Sequence, residues 1–387
     1  IASTLAQVNI EKPSLKSSAK AFAIIIDADT YKQTKADVNA YKQVVEQDGL
    51  PTYIISGDFK HPDEVKKQIV KLYKTKQSLE GLVFIGEIPV ALIRNAQHMT
   101  SAFKMNETKF PFKDSSVPSD RFYDDLNLEF SYLKADSLQP LNHYYQLDAH
   151  SPQKLSPSLY SARIRYPKAK GGNAQEAIAQ YLQKVVRTRR DNRLDHLVAF
   201  TGAAYNSECL VAWKDDLKAY KEDFPYLNKS VNGLKQLNFR MDDFMKFKLF
   251  DEMLRPEVDV LLMRKHGTPT KELINNSPQA DNFDSRLEEL RRELYSNLQR
   301  AEKRNLNMDS LEHVYRKKYD LNARFFDSYY NPETQQKDSI TDANAYIHTQ
   351  DLRSLKTNPL YVILDACYNG SFHEDDYIAG YYIFNEG

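Results

Sequence analysis

The chain has 387 residues, of which 41% are hydrophobic and 27% charged, a composition typical of a globular protein large enough for two domains. Lys+Arg and Asp+Glu balance at 53 each, which argues against nucleic acid or an anionic membrane as the main partner. No apolar run approaches the roughly 20 residues that a membrane-spanning helix needs. Because the sequence starts at Ile1-Ala2-Ser3-Thr4, we expect a mature or trimmed chain that carries no signal peptide.

The cysteine content is low. The two cysteines, Cys209 and Cys367, exclude a disulfide framework but leave a single bond between them open. Few cysteines are typical of a reducing compartment, yet large secreted bacterial proteins also fold without disulfides. Composition therefore leaves the compartment open.

The N-terminal part alternates apolar runs with helical segments. Buried strands are predicted at 21–26, 52–55 and 82–85, and helices at about 31–47 and from His61-Pro62 onward. Residues 1–20 show no clear period and are predicted to form an extended lead-in. Strands that alternate with helices at this spacing predict βαβ units and a parallel sheet.

The alternation pauses at 97–156, where we expect short antiparallel strands or a hairpin, and then resumes. The predicted elements that follow are a strand at 159–164, a helix at 173–190, a strand at 197–202, a helix at 208–223, a strand at 234–238, a helix at 241–254 and a strand at 258–264. A last strand is predicted at 361–366.

An insertion, about 268–356, separates the last two strands. One helix is predicted from an apolar stripe made by Leu287, Leu290, Leu294, Leu298 and Ala301. A second helix is predicted near 309–319, and Asn331-Pro332 and 337–339 are interpreted as loop.

Two of the predicted strands end on side chains that can do chemistry. One leads into His266-Gly267, and the other ends at Cys367, just before a turn at Asn369-Gly370. Because sites in open α/β sheets lie at the carboxyl ends of strands, we expect Cys367 and His266 to lie close together. A cysteine nucleophile needs a proton acceptor and N–H donors for the oxyanion; His266 supplies the first, and the backbone N–H groups of Gly267 and Cys367 supply the second. The alternative is that Cys367 is a buried small apolar residue, which spacing alone does not exclude.

These elements resemble the catalytic elements of gingipain-type cysteine peptidases, members of the caspase-like clan that includes legumain and clostripain. The resemblance covers roughly 20–267 and 358–375 in the family's order. It rests on Phe84-Ile85-Gly86-Glu87-Ile88-Pro89, on Ser119-Asp120 with Tyr123, on Ser161-Ala162-Arg163-Ile164, on His266-Gly267 and on Asp365-Ala366-Cys367-Tyr368-Asn369-Gly370-Ser371-Phe372. It implies a bacterial enzyme that is secreted or held in the cell envelope and made as a zymogen, with Cys367 as nucleophile and His266 as general acid/base.

The chain departs from the family pattern in three places. The insertion is far longer than the family shows, and Ala162 stands where the family has glycine. The turn after Thr201-Gly202 lacks the acid that the family associates with its catalytic histidine. Glu208 lies near that turn and is a candidate accessory or S1-pocket residue, so we predict a dyad of Cys367 and His266.

Several other residues have a structural and a functional interpretation. Cys209 is predicted to be core, and His373 a surface histidine. The resemblance allows structural calcium at two acidic pairs, which we interpret instead as solvated loop acids, and we predict no required cofactor and no metal site. These pairs are Asp27/Asp29 and Asp124-Asp125. The basic clusters are interpreted as solvated helix faces, with self-cleavage sites as the alternative; they are Arg291-Arg292, Lys303-Arg304 and Arg316-Lys317-Lys318.

We therefore predict a caspase/gingipain-like α/β protein with mostly parallel sheets flanked by helices. It is divided into consecutive subdomains at 1–203 and 204–387, the second carrying the helical insertion. The predicted function is a cysteine endopeptidase acting on proteins or peptides. The alternatives are a catalytically silent surface binding or structural protein with the same fold, and a cysteine-dependent acyl transferase. The resemblance implies a further strand and pocket loops beyond Gly387, and we expect the insertion to act as a lid or autoinhibitory element. Primary specificity and oligomeric state do not follow from the sequence.

Overall fold

A computed structural model describes residues 8–100, 106–189, 194–203, 218–220, 222–228, 233–275, 282–303 and 306–385. Within these ranges the protein is α/β, with parallel and mixed sheets flanked by helices, which confirms the predicted class at that level. None of the helices in these ranges is long and apolar enough to cross a membrane. The chain forms two compact units, residues 1–193 with 370–386 (unit 1) and residues 194–369 (unit 2). This division differs from the predicted one at 203/204, since the chain returns to unit 1 directly after Asn369.

Unit 1 contains nine strands among its described residues: β1 (Val8–Glu11), β2 (Ala21–Asp27), β3 (Thr52–Gly57), β4 (Leu79–Ile85), β5 (Val90–Arg94), β6 (Val117–Pro118), β7 (Phe130–Ala135), β8 (Asn142–Leu147) and β9 (Tyr160–Ile164). Its helices are α1 (Ala28–Gln47), α2 (Pro62–Tyr73), α3 (Gln97–Thr100), α4 (Phe112–Ser115), α5 (Arg121–Asp124), α6 (Ala174–Thr188) and, after the chain returns, α12 (Ile378–Ile383). Short 3-10 turns lie at Lys168–Lys170 in unit 1 and at Pro225–Asn228 and Ala323–Phe326 in unit 2.

The main sheet of unit 1 has the order β1-β3-β2-β4-β9 and is parallel except at β1. Its central strands are continuous apolar runs because both faces are covered. Ile24 and Ile26 pack with residues of α1 and α6, whereas Ile25 packs with residues of α2. The expectation of a lead-in over 1–20 is wrong for Val8–Glu11, which forms the antiparallel edge strand.

A second, mixed sheet of unit 1 has the order β6-β5-β8-β7. β7 and β8 form the antiparallel pair expected within 97–156, while β5 and β8 run parallel. Ala91, Ile93 and Tyr145 of this sheet join the same apolar core as α2.

Unit 2 contains β10 (Leu197–Thr201), β11 (Leu234–Asn238), α7 (Met245–Leu254), β12 (Val260–Arg264), β13 (Lys271–Leu273), α8 (Phe283–Lys303), α9 (Met308–Tyr319), α10 (Pro332–Ala345), β14 (Tyr346–His348), α11 (Thr349–Arg353) and β15 (Tyr361–Asp365). The strands β11-β10-β12-β15 form a four-stranded sheet that is parallel throughout, and β13 pairs with β14 as an antiparallel ribbon. The predicted helix at 208–223 lies largely outside the described residues.

The insertion begins and ends on the β13–β14 ribbon. Its helices have a small core of their own, built from Leu294, Tyr295, Leu298, Phe326 and Tyr329. The loop predicted at 337–339 is wrong, because Pro332–Ala345 is helical, and of the loop predicted at Asn331-Pro332 only Asn331 lies outside the helix. Asn331 caps this helix by accepting hydrogen bonds from the N–H groups of Glu333 and Thr334, and Pro332 occupies the first turn, where its missing N–H has no cost.

Candidate active site

The parallel pairing of β12 with β15 places the two predicted catalytic residues at the same edge of the sheet of unit 2. The register runs from Val260 opposite Tyr361 to Arg264 opposite Asp365. It continues beyond the strands, since Lys265 N–H donates a hydrogen bond to Asp365 O at 3.1 Å. His266 and Cys367 are each the second residue after these paired positions. Both therefore stand at the carboxyl ends of adjacent parallel strands, where α/β sheets carry their sites.

The exposure of Cys367 decides between its two interpretations. Its thiol is free and the residue is exposed, so the interpretation as a buried apolar residue is wrong. His266 is half-buried. An exposed cysteine has the access to substrate that a nucleophile requires.

Gly267 lies against the segment that carries Cys367. A β-carbon on this residue would lie 2.4 Å from Asn369 Nδ2 and 2.7 Å from the carbonyl oxygen of Cys367, so only glycine fits. Gly267 also forms a bridge with Glu272, but the hydrogen bonds of that bridge use His266 O and Thr268 N–H. The N–H of Gly267 is thus not one of the bridging donors, as an oxyanion-hole donor requires.

The residue after the cysteine adopts an unusual backbone conformation. Tyr368 has φ of 60°, in the left-handed region that non-glycine residues rarely occupy, and its side chain is 66% exposed. Backbone strain of this kind persists only where neighbouring contacts hold it. Here it turns the chain sharply from the exposed Cys367 to the buried Asn369.

A buried polar network involves Lys265, next to His266, and Asn369, two residues after Cys367. It was not predicted from the sequence. Lys265 and Glu272 form an ion pair of 3.0 Å in which both side chains are 0% exposed. Lys265 Nζ also lies 3.4 Å from Asn369 Oδ1. The sequence held one signal of this network, which is the position of Lys265 between an apolar strand and His266. A lysine is usually expected to be solvated, so this signal alone did not predict burial.

The family-like segments of unit 1 also converge. Arg163 makes two hydrogen bonds to the carboxylate of Asp120, at 3.0 and 2.7 Å, and a third to Ile88 O at 2.9 Å. Burial is the largest single effect on the pKa of the Arg163 guanidinium and lowers it, but the charge and hydrogen bonds of Asp120, together with Tyr123 and Tyr377, raise that pKa overall. Tyr123, fully buried, donates from its hydroxyl to Pro89 O at 2.8 Å. The Glu87-Ile88-Pro89 turn, Ser119-Asp120 and Arg163 are thus joined by hydrogen bonds, beside a cavity of about 380 Å³.

Asp27 and Asp124 make structural contacts. Asp124 and Asp125 are both 0% exposed, so the interpretation as solvated loop acids is wrong for them. Asp124 pairs with Arg121 and accepts a hydrogen bond from Ser161, and burial raises its pKa to about 6. Asp27 caps α1 by accepting from Thr30 N–H and also accepts from Glu87 N–H, both at 2.9 Å.

Two further predictions are corrected. His373 is not a surface histidine, since its side chain is 11% exposed, and burial lowers its pKa to about 4. Arg291 is not solvated either: its side chain is 11% exposed and makes two hydrogen bonds to Asp338 at 2.7 and 2.6 Å. Lys317 and Lys318 are exposed, as predicted. Glu208, Cys209 and Arg304 lie outside the described residues.

Among the described residues, Asp195, His196 and Asp259 form the group that could hold a metal ion. Asp259 accepts hydrogen bonds from the backbone N–H groups of Asp195 and His196 at 3.0 and 3.1 Å. His196 Nδ1 lies 2.8 Å from an Asp195 carboxylate oxygen. These contacts hold the chain just before β10 and β12, which gives the group a structural role. The group lies at the amino ends of these strands, at the opposite edge of the sheet from the carboxyl ends.

Comparison of the chain with protein-family models, with curated proteins and with solved structures finds no match. The functional argument therefore rests on the geometry of the described residues. That geometry offers an exposed thiol, a half-buried imidazole and a closely packed glycine at one edge of a parallel sheet.

Proposed function

We propose that the chain is a cysteine endopeptidase of the gingipain type, with a caspase-like fold. The observation that carries this proposal is the pairing of β12 with β15 in register, which brings His266 and the exposed Cys367 to adjacent strand ends. Supporting it, the other segments that resemble the family meet around the buried Asp120–Arg163 pair in unit 1.

The proposed mechanism uses only side chains and backbone of the site. The Cys367 sulfur attacks the scissile carbonyl carbon, and the resulting oxyanion accepts hydrogen bonds from the N–H groups of Gly267 and Cys367. His266 takes the thiol proton and gives it to the leaving amine as the C–N bond breaks. Water then attacks the thioester, which releases the acid product and regenerates the thiol.

The test is labelling by a thiol-directed peptidyl probe together with turnover of a peptide-substrate library. We expect wild type to be labelled at Cys367 and to cleave peptides. Cys367→Ala should abolish both, and His266→Ala should lower turnover by about 100-fold or more, as removal of a general base does. The matched control is Cys209→Ala, which removes the chain's other thiol and should keep both activities.

Three results would count against the proposal. Labelling that persists in Cys367→Ala would place the reactive thiol elsewhere. A wild type that alkylates at Cys367 with small reagents but cleaves no peptide would indicate the silent binding protein instead. Transfer of the acyl group to an added amine in preference to water would identify an acyl transferase.

A further inference from the structure

The buried network behind the site connects the two segments that carry the dyad. Lys265 immediately precedes His266, and Asn369 is the second residue after Cys367. Lys265, Glu272 and Asn369 are 4%, 0% and 1% exposed. Buried charges of this kind persist when they are paired, and here Lys265 is paired with Glu272.

Asn369 joins the cysteine segment to the histidine segment through both ends of its amide. Its Nδ2 donates to Thr268 O at 2.8 Å and lies 3.3 Å from Lys271 O. Its Oδ1 lies 3.4 Å from Lys265 Nζ. The same Nδ2 lies against Gly267, where a β-carbon would be 2.4 Å away. One side chain thus contacts the chain before His266 and the turn after it.

The strained turn at Tyr368 adjoins this anchor. A left-handed residue with a large side chain costs about 1–2 kcal/mol relative to the usual conformation. Tyr368 lies between Cys367, whose carbonyl oxygen packs against Gly267, and the buried Asn369. Fixed points on both sides are what keep such a conformation populated.

We propose that Asn369, itself held by the Lys265–Glu272 pair, is a positioning residue that fixes the Cys367 thiol relative to the His266 imidazole. The inference rests on the proposed peptidase function and assigns no contact with substrate to Asn369. Removing the anchor should let the two strand ends shift without unfolding the sheet. A misplacement of about 1 Å is enough to lower a rate by about 100-fold.

The test uses the full chain in a Cys209→Ala background, so that Cys367 is the one thiol. Asn369→Leu keeps the approximate size of the side chain but removes the donor to Thr268 and Lys271 and the acceptor for Lys265, and it adds no charge near the thiol. The double variant Lys265→Met/Glu272→Leu removes the ion pair without leaving either charge buried alone. The matched control is Lys246→Met/Asp351→Leu, which removes the 2.7 Å pair between α7 and α11.

Two measurements are made on each variant: kcat and KM for a peptide that the parent cleaves, and the rate of Cys367 alkylation by iodoacetamide across pH 5–10. We expect both network variants to lose about tenfold or more in kcat, with KM within about twofold. The midpoint of their alkylation profile should move by about half a pH unit or more, because the imidazole no longer stands at a fixed distance from the thiol. The control should match the parent in both measurements.

The outcomes are separable. Network variants that keep the parent's kcat and alkylation profile overturn the proposal. Loss of folding in both network variants, with the control folded, assigns the network to stability alone and also overturns it. If the parent cleaves no peptide, the peptidase function fails, and the alkylation profiles still decide whether Asn369 positions the thiol.

Discussion

Gly267 and Cys367 approach each other so closely that no side chain fits between them: a β-carbon on Gly267 would lie 2.7 Å from the Cys367 carbonyl oxygen. This oxygen is backbone and cannot rotate away, and the nearer obstructing atom, Asn369 Nδ2 at 2.4 Å, is held by a hydrogen bond to Thr268 O. Gly267→Ala should therefore push the two strand ends apart, at a cost of about 1–3 kcal/mol in the free energy of unfolding. Peptide turnover should fall by about tenfold or more, since the thiol and the imidazole move apart.

Gly370 is the matched control for this substitution, because a β-carbon there would have no atom within 4 Å. Gly370→Ala should leave turnover within about twofold and the free energy of unfolding within about 0.5 kcal/mol. Equal behaviour of the two alanine variants, measured by denaturant unfolding and by initial rates, would contradict the role assigned to the close approach at Gly267.

The insertion can be removed at a defined point. Ile274 and Asn275 both donate backbone hydrogen bonds to Ala345 O, at 2.9 and 3.1 Å, directly after the β13–β14 ribbon. Replacing residues 276–344 by an Asn-Gly turn should keep the ribbon, because two-residue turns of this type close antiparallel pairs. The helices removed have their own core, so they leave as a unit.

If the insertion is a lid, the excised chain should turn over a peptide substrate several-fold faster than the parent. Iodoacetamide is the control reagent, since it should alkylate the exposed Cys367 equally in both chains. Unchanged turnover with intact alkylation would end the lid hypothesis.

The alternation of strands and helices was readable from the sequence because the central strands are covered on both faces. Ala21–Asp27 and Leu197–Thr201 are almost wholly buried, and such runs are the clearest strand signal. Val8–Glu11 and Pro332–Ala345 were not predicted because neither contains a continuous buried run. The first is a short edge strand, and the second has no buried side chain to create a period.

The site was predictable in part. Strand ends at His266 and Cys367 follow from local pattern, and their proximity follows from the parallel sheet. The Lys265–Glu272–Asn369 network was not predictable from the sequence. Glu272 reaches Lys265 only because the chain turns back after Gly267, and Asn369 reaches it only because β15 pairs with β12. The burial of Asp124 and His373 was missed for the same reason, since tertiary contacts and not neighbouring residues exclude water from them.

The Asp120–Arg163 pair offers a test of the core of unit 1. Its side chains are 12% and 4% exposed. Asp120→Ala should leave the guanidinium buried without its charge partner and destabilise the unit by about 3–5 kcal/mol. The exposed pair Lys60–Asp58 is the control, and Asp58→Ala should change the free energy of unfolding by no more than about 0.5 kcal/mol. Equal effects of the two variants in denaturant unfolding would show that the buried pair has no special role.

Burial of His373 predicts a loss of stability in acid. Its pKa falls from 6.5 to about 4 because burial disfavours the charged ring; Glu374 acts in the opposite direction, and Lys113 and Arg165 add to the lowering. Between these two pH values the unfolded chain binds a proton that the folded chain does not. The free energy of unfolding is therefore not reduced by His373 above pH 6.5. It falls by about 3 kcal/mol as the pH is lowered toward 4.

Asp124 affects the free energy of unfolding in the opposite direction. Burial raises its pKa from 3.8 to about 6, so between these pH values the folded chain keeps a proton that the unfolded chain has lost. Comparison of variants with the parent separates the two groups. His373→Gln should reduce the loss of unfolding free energy between pH 7 and 4.5, while Asp124→Asn should increase it. The control is His150→Gln at an exposed histidine of the same unit, which should follow the parent. Denaturant unfolding at the two pH values measures each change, and a His373→Gln chain that loses as much stability as the parent would contradict the assignment.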